Sequence, residues 1–434
     1  MNNNQNSKHG IRLTGENGSP VPQRDNFSIN RSFSENLYLI EKLSHFDREK
    51  IPERIIFSNG KGFFGIFCAK DMSSVTSADF LSSIGKTTKV FARLSSMSES
   101  RFDINSLSIK FYTETGIYDI ILLDKPVFYI RDPIKFPDLV HALLPSASSG
   151  RKDRERFFDF ISLSPESTNL LVRLYSTDTN PNIKSYYSIH TFIFHTESSF
   201  RYVKYRADCN LKKENIYITL KAQLFSEEDI EKLNLKPFDT TRLIPEGKIG
   251  YTDIGSIELS RPSENYFKDV EQSAFSPSNT VPGIALTHSL MLSAHAFSAS
   301  DSQRYRLGVN YMQLEINHPI NPERSCMRGG YMNNISENSA VDYIPNSLEY
   351  NLPSYSRSSF KAPYKSSMYE YDADYFSQAG EYLSGLSDDE TRQIAINLSN
   401  ELKGRRYEIR RRIISNISKA SYRLADFILY YLSE

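Results

Sequence analysis

The chain has 434 residues, enough to bury a substantial core and to make two or three domains. Lysine plus arginine equals aspartate plus glutamate at 52 each, so charge gives no argument for a polyanionic partner or a membrane surface. Cys68, Cys209 and Cys326 are too few and too scattered for a disulfide framework or a zinc site, and they fit a reducing cytoplasm. The opening MNNNQNSKHG lacks an apolar core, so no secretory signal is expected. No run of about 18 apolar residues predicts a membrane span.

Residues 1–12 are polar and predicted to be disordered, and residues 13–35 read as an extended arm. Apolar spacing at Leu37, Leu39, Ile40, Leu43 and Phe46 predicts a short amphipathic helix. From about residue 56 to 262 the pattern changes to short β-type runs. Gly62–Cys68, Lys89–Ser95, Leu107–Thr113, Ile117–Leu123, His190–His195, Phe200–Ala207 and Ile216–Leu224 are examples. Strands this numerous and evenly spaced predict a sandwich or a closed barrel. Helical pieces at Ser77–Ser82, Arg154–Ser162 and Glu227–Lys232 make the class α+β. Residues 263–368 are rich in Pro, Ser, Asn and Tyr, and a stretch this long with little periodicity is usually disordered or functional. After Asp372 the chain turns helical. Ser387 caps Asp388–Leu402, and Arg406–Ile417 and Ala420–Leu432 follow a break at Gly404.

One stretch organises the rest. Ser289–Tyr311 reads SLMLSAHAFSASDSQRYRLGVNY, in which Phe297, Asp301, Arg304, Arg306, Leu307, Gly308, Asn310 and Tyr311 resemble the proximal-ligand motif of the haem catalases. Ile51–Gly60 (IPERIIFSNG), Lys110–Gly116 (KFYTETG), Pro126–Asp138 (PVFYIRDPIKFPD), Asp159–Ser167 (DFISLSPES), Pro237–Thr240 (PFDT), Glu264–Gly283 (ENYFKDVEQSAFSPSNTVPG) and Asp374–Leu383 (DYFSQAGEYL) resemble the same family, over residues 13–434. The resemblance implies a catalase fold: an eight-stranded antiparallel β-barrel at 56–262, preceded by an N-terminal arm and helix at 13–55. A wrapping segment at 263–368 and a C-terminal helical domain at 369–434 complete it. It also implies a homotetramer and a haem b cofactor.

The same resemblance places four replacements where the family's chemistry lies. Phe57 stands at the distal histidine and Leu123 at the distal asparagine. Ala299 stands at the proximal tyrosine and His295 at the arginine one helical turn before it. A phenyl ring has no proton to shuttle, and loss of a positioned acid–base group costs about 10²–10⁴ in rate. A methyl group cannot ligate iron. By the same alignment the aspartate and histidine that support the family's arginine fall on Ser289 and Arg206. Phe158 and Ile161 replace a tryptophan pair, in keeping with a chain that has no tryptophan.

The anion-binding residues are kept. Arg54, Arg93 and Arg306 fall where the family holds haem propionates, with Ser95 beside the distal site and Phe136 where a porphyrin would stack. Arginine forks suit carboxylates, so the trio implies an anionic small-molecule partner. Alternatively, the three pair with acids of their own neighbourhood such as Glu49 and Glu53. His295 is the one candidate metal ligand, since His190, His195, His288 and His318 are scattered over strands and loops. The segment through which some catalases bind a nucleotide is shortened here to Asn180–Phe192 and lacks the matching arginine. The basic run Lys403–Arg412 reads as a solvated helix face, so no nucleic-acid partner is expected.

Two functions stay open from the residues alone. One is a cytoplasmic protein without a cofactor that no longer dismutates hydrogen peroxide, a pseudoenzyme or an enzyme repurposed around the old haem cavity. The other is a haem oxidoreductase, peroxidase-like, lyase-like or residually catalatic, with altered iron ligation.

Overall fold

A computed structural model describes residues 13–21, 37–96, 104–176, 183–210, 215–321, 329–334, 343, 346–348 and 373–433. The disorder expected for residues 1–12 and much of the stretch after 321 lie outside the described residues. The chain divides into two units, Met1–Glu53 and Arg54–Glu434. In the first, the expected amphipathic helix forms as α1 (Leu37–Arg48), and its His45 meets Glu16 at 2.5 Å.

The second unit is built on strands β1 (Gly60–Ala69), β2 (Thr87–Ser96), β3 (Asn105–Thr113), β4 (Gly116–Leu123), β5 (Ile183–Tyr187), β6 (Phe192–His195), β7 (Phe200–Asn210), β8 (Ile216–Phe225), β9 (Thr252–Pro262) and β10 (Ile284–Leu286). Eight of them run antiparallel in the order β7-β5-β4-β3-β2-β1-β9-β8, and β8 pairs back onto β7. The barrel therefore closes. Closure removes the free edges that an open sheet of this size would expose. β6 and β10 extend the sheet beyond β7.

Strand alternation explains what lies inside. Val90 and Ala92 of β2, Leu107, Ile109 and Phe111 of β3, and Tyr118, Ile120 and Leu122 of β4 all join one buried interior cluster. The residues between them, including Arg93, Ser95 and Leu123, therefore stand on the opposite, outer strand face. A second apolar cluster uses that outer face. It holds Leu123, Phe128, Phe158, Ile161 and Met291, with Phe57 and Phe136 packed against it. The helices supplying it are α2 (Phe136–Leu143), α3 (Arg154–Leu163), α4 (Thr168–Leu174) and, after α5 (Glu227–Lys232) and α6 (Leu290–Leu307), the C-terminal set. That set comprises α7 (Ser377–Ser384), α8 (Asp388–Leu402), α9 (Tyr407–Ala420) and α10 (Tyr422–Ser433).

Boundaries follow local chemistry. Ser387 and Glu390 form a reciprocal capping box at α8, as the sequence predicts. Among its described residues, the stretch expected to be irregular contains four ordered elements: a π-helical turn (Tyr266–Glu271), β10, α6 and a 3-10 turn (Tyr311–Gln313). Residues 275–279 seal the outer face of β3 and β4 over a fully buried ion pair. Lys110 and Asp119 are register partners, with Lys110 Nζ 2.8 and 3.1 Å from the two carboxylate oxygens. Asp119 also accepts from Ser276 N and Asn279 Nδ2, and Lys110 lies over the Phe275 ring.

Breaking a buried pair by removing one partner leaves an uncompensated charge, at a cost of about 3–5 kcal/mol. Lys110→Met is expected to lower stability by about that much in chemical denaturation. A loss below 1 kcal/mol, as for an exposed pair, would show that the seal over β3 and β4 is not needed.

Candidate functional site

Two arginines from distant parts of the chain meet on one acid, and a third lies close enough to repel them. Arg54 precedes β1, Arg93 lies on β2, and Arg306 sits in the last turn of α6, where the helix dipole favours a cation. Glu271 ends the π-helical turn. Its carboxylate takes Arg306 Nη1 at 2.9 Å and Arg54 Nη1 at 3.3 Å. Its backbone carbonyl accepts from Nη2 of both, at 3.0 and 2.9 Å. Arg54 Nη2 also reaches the carbonyls of Val270 and Ser273. The acid that pairs with Arg54 and Arg306 is therefore Glu271, more than 200 residues after Arg54, and not the neighbouring acids weighed from the sequence.

Arg93 points elsewhere. Its two terminal nitrogens donate to the carbonyls of Phe57 and Ser58, at 2.9 and 2.7 Å. Phe57 adopts a left-handed φ of 57°, unusual for a bulky side chain, and these two bonds hold the chain there. Gly60 makes room for the clamp, since a Cβ at that position would lie 2.7 Å from the Arg93 guanidinium carbon. Arg93 Nε is buried and has no hydrogen-bond partner among the described residues.

The electrostatics of the cluster are cationic. Burial, then repulsion from Arg93 and Arg306, lowers the Arg54 pKa to about 9, with Glu271 opposing. Burial lowers Arg93 and Arg306 as well. Three guanidiniums face one carboxylate here. A further anion would be welcome.

On α6 the two substituted positions behave differently. Ala299 is half-buried and presents a methyl group. His295, one turn earlier, spends Nδ1 on His190 Nε2 at 2.8 Å, with the rings tilted by 44°. Ser289 and Arg206, the supports expected from alignment, are engaged elsewhere. Ser289 caps α6 through Leu292 N, and Arg206 bonds Asp208 at 2.7 Å. His190 is the support that the sequence reading missed. It lies just before β6, and its Nδ1 is buried with no partner among the described residues. Burial, then repulsion from His295 and Lys204, holds His190 well below the usual imidazole range, and burial lowers His295 to about 4. The pair is neutral near pH 7. Among the described residues, no three His, Cys, Asp or Glu side chains gather closely enough to hold a metal ion.

The remaining candidate positions form the apolar part of the site. Leu123 is buried at the end of β4, and Phe136 opens α2 after the Pro133–Lys135 turn, against which α6 packs. Ser95 is buried on β2, opposite Gly60 of β1 and Ser106 of β3. Phe158 and Ile161 are buried on α3 in the same cluster as Leu123.

Comparison with known proteins decides the family. The family model described as Catalase matches residues 14–218 and 212–350. The chain belongs to the catalase family. A catalase of Methanosarcina barkeri is 32% identical over 459 residues, covering 94% of this chain and 88% of its own length. A catalase of Listeria innocua is 34% identical over 384 residues, covering 78% of each chain. The crystal structure of a fungal catalase superposes with a TM-score of 0.87 at 26% identity, covering 97% of this chain and 96% of its own. The closed barrel and C-terminal helices are those of the catalase fold.

Two predictions follow from the geometry of this catalase-family site. Glu271→Gln leaves Arg54 and Arg306 without their carboxylate, so stability should fall by about 3–5 kcal/mol in denaturant titrations. A change within 0.5 kcal/mol would remove Glu271 from its central place. The second concerns pH. Both histidines are depressed in the folded state, so the unfolded chain binds more protons between pH 6.5 and about 4, and stability falls as pH falls through that window. His295→Leu should flatten the dependence there by about one proton, read from urea midpoints across the window. An unchanged slope would mean that His295 titrates normally.

Proposed function

We propose that this catalase-family chain has lost hydrogen peroxide dismutation and works without haem iron, as a pseudoenzyme or as a small-molecule protein built on the old cofactor cavity. The observation that carries the reading is the donor set on α6. Ala299, at the position where the family carries its iron ligand, offers no atom that can ligate a metal, and His295, one helical turn earlier, keeps only Nε2 after Nδ1 bonds His190. A haem held as in this family takes its axial donor from the proximal helix, and at that position the chain offers a methyl group.

The distal side supports the same reading. Phe57 and Leu123 cannot transfer a proton or hydrogen-bond a peroxide, and both join an apolar cluster with Phe136 and Phe158. What remains usable is charge. Arg54, Arg93 and Arg306, with Glu271 neutralising part of them, support binding of an anionic small molecule, and an apolar wall with Phe136 suits a partly planar one. The interior of the barrel is intact, so the fold is retained where the chemistry is not. A cytoplasmic homotetramer is the assembly that the family suggests.

The competing reading is a haem oxidoreductase with altered ligation, and the retained arginine trio is the observation in its favour. An absorption spectrum and an iron assay, after expression with ample haem, separate the two. The expected result is no stoichiometric Soret band, no iron and no oxygen evolution from peroxide. Ala299→Tyr combined with His295→Arg should then raise haem occupancy, because it restores a phenolate and the cation that keeps it ionised. A stoichiometric Soret band in the unaltered protein, changed in His295→Ala, would overturn the haem-free reading and make His295 the axial ligand.

A further inference from the structure

A second cavity lies on the outer face of the barrel, away from the arginine trio. Its volume is about 170 Å³, and its walls include Arg173, Tyr187, Lys204, Arg206, Glu246 and Tyr251. Lys204 and Arg206 are two residues apart on β7, so they share a strand face. Lys204 is the unusual member. It is 5% exposed, and among the described residues no carboxylate comes within ion-pairing distance of it. Its ammonium has one long contact, 3.4 Å to the carbonyl of Ile189.

The other cations are held in place by their surroundings. Arg206 bonds Asp208 and lies against the rings of Tyr187 and Tyr251, at 5.6 and 5.3 Å. Arg173 bonds Asn169 Oδ1 at 3.0 Å and stacks on Tyr382 at 4.1 Å. The acid on the rim, Glu246, is largely exposed and 3.4 Å from Arg206. The cavity thus carries three cations against one solvated carboxylate. It is smaller than the roughly 300–1,000 Å³ of a drug-sized site, which restricts it to a compact ligand.

We propose that Lys204 is a covalent capture site for a small aldehyde or ketone bearing a carboxylate or phosphate, with Arg173 and Arg206 holding the anionic group. The amine nitrogen attacks the carbonyl carbon to form a carbinolamine. The carbon–oxygen bond then breaks, the oxygen leaves as water with both amine hydrogens, and an imine remains. No electrons change hands. A lysine kept in a desolvated pocket beside other cations is the form that makes such adducts, because the neutral amine is the nucleophile. Burial lowers the Lys204 pKa to about 8, with Asp239 opposing, so a usable fraction is neutral near physiological pH. The site is independent of whether the arginine trio holds a ligand.

The probe is glyoxylate, with cyanoborohydride to reduce the imine and peptide mass mapping to locate it. Acetaldehyde, which lacks the carboxylate, is the control. Labelling of Lys204 relative to the exposed lysines should favour Lys204 with glyoxylate and not with acetaldehyde. Arg173→Gln and Arg206→Gln should each reduce that preference by about tenfold, the worth of a charge-assisted hydrogen bond. Lys204→Arg should abolish labelling of its peptide, and the mapping of the unaltered protein stands whether or not that variant folds. The proposal fails if Lys204 reacts no faster than the exposed lysines, if acetaldehyde shows the same preference, or if both arginine variants keep it.

Discussion

The pairing of Arg54 and Arg306 through Glu271 sets the geometry on which the rest of the site depends. It joins the segment entering β1, the turn after β9 and the end of α6, three pieces that lie on no common strand or helix. Fixing the end of α6 fixes its register against the barrel, and with it the positions of His295 and Ala299. The bonds use side-chain and backbone oxygens of one residue together, so neither guanidinium can leave without exposing a buried acceptor. An interaction of this kind has a structural reason to persist whatever chemistry lies beside it. It also leaves residual positive charge, since the carboxylate balances one cation of three. Retention of the trio therefore supports an anion site without requiring one.

The changed residues sit where the fold tolerates them. Leu123 and Phe57 fall in an apolar cluster fed by α3 and the C-terminal helices, where a leucine or phenyl side chain adds buried surface and no polar group needs a partner. Ala299 places a methyl group at a half-buried helix position. None of these changes touches the interior of the barrel, which is filled from the other strand face. The stability of the fold and the chemistry of the site thus occupy opposite faces of the same strands, and one can be lost without the other.

Much of this architecture was legible in the residues. Period-two runs named most of the barrel strands, and Ser387 marked the start of α8 at its observed residue. Closure of the barrel and the helix carrying His295 came through resemblance of specific motifs, because no local pattern says which strands pair. What stayed hidden was long-range pairing. Nothing near Arg54 points to Glu271, and the acids close to it in sequence were the natural candidates. His190 stayed hidden for a related reason. A lone histidine before a short strand carries no signal of its partner, and alignment put Arg206 in the role that His190 fills.

The histidine pair shows how replacing one charged residue changes what its neighbourhood can do. A permanently charged guanidinium would keep a positive charge beside the ligand position at every pH of interest. An imidazole in the same buried place gives that charge up: burial holds His295 near 4, and His190 is kept neutral beside it. A phenolate at position 299 would have no cation to keep it ionised, so restoring the tyrosine alone addresses half of the loss. Under the proposed reading, ligand and cation are coupled through one helical turn, and Ala299 and His295 leave the chain without either. Their joint absence is physically consistent, because a buried cation without its anion carries a desolvation cost that a neutral imidazole bonded to a second imidazole avoids.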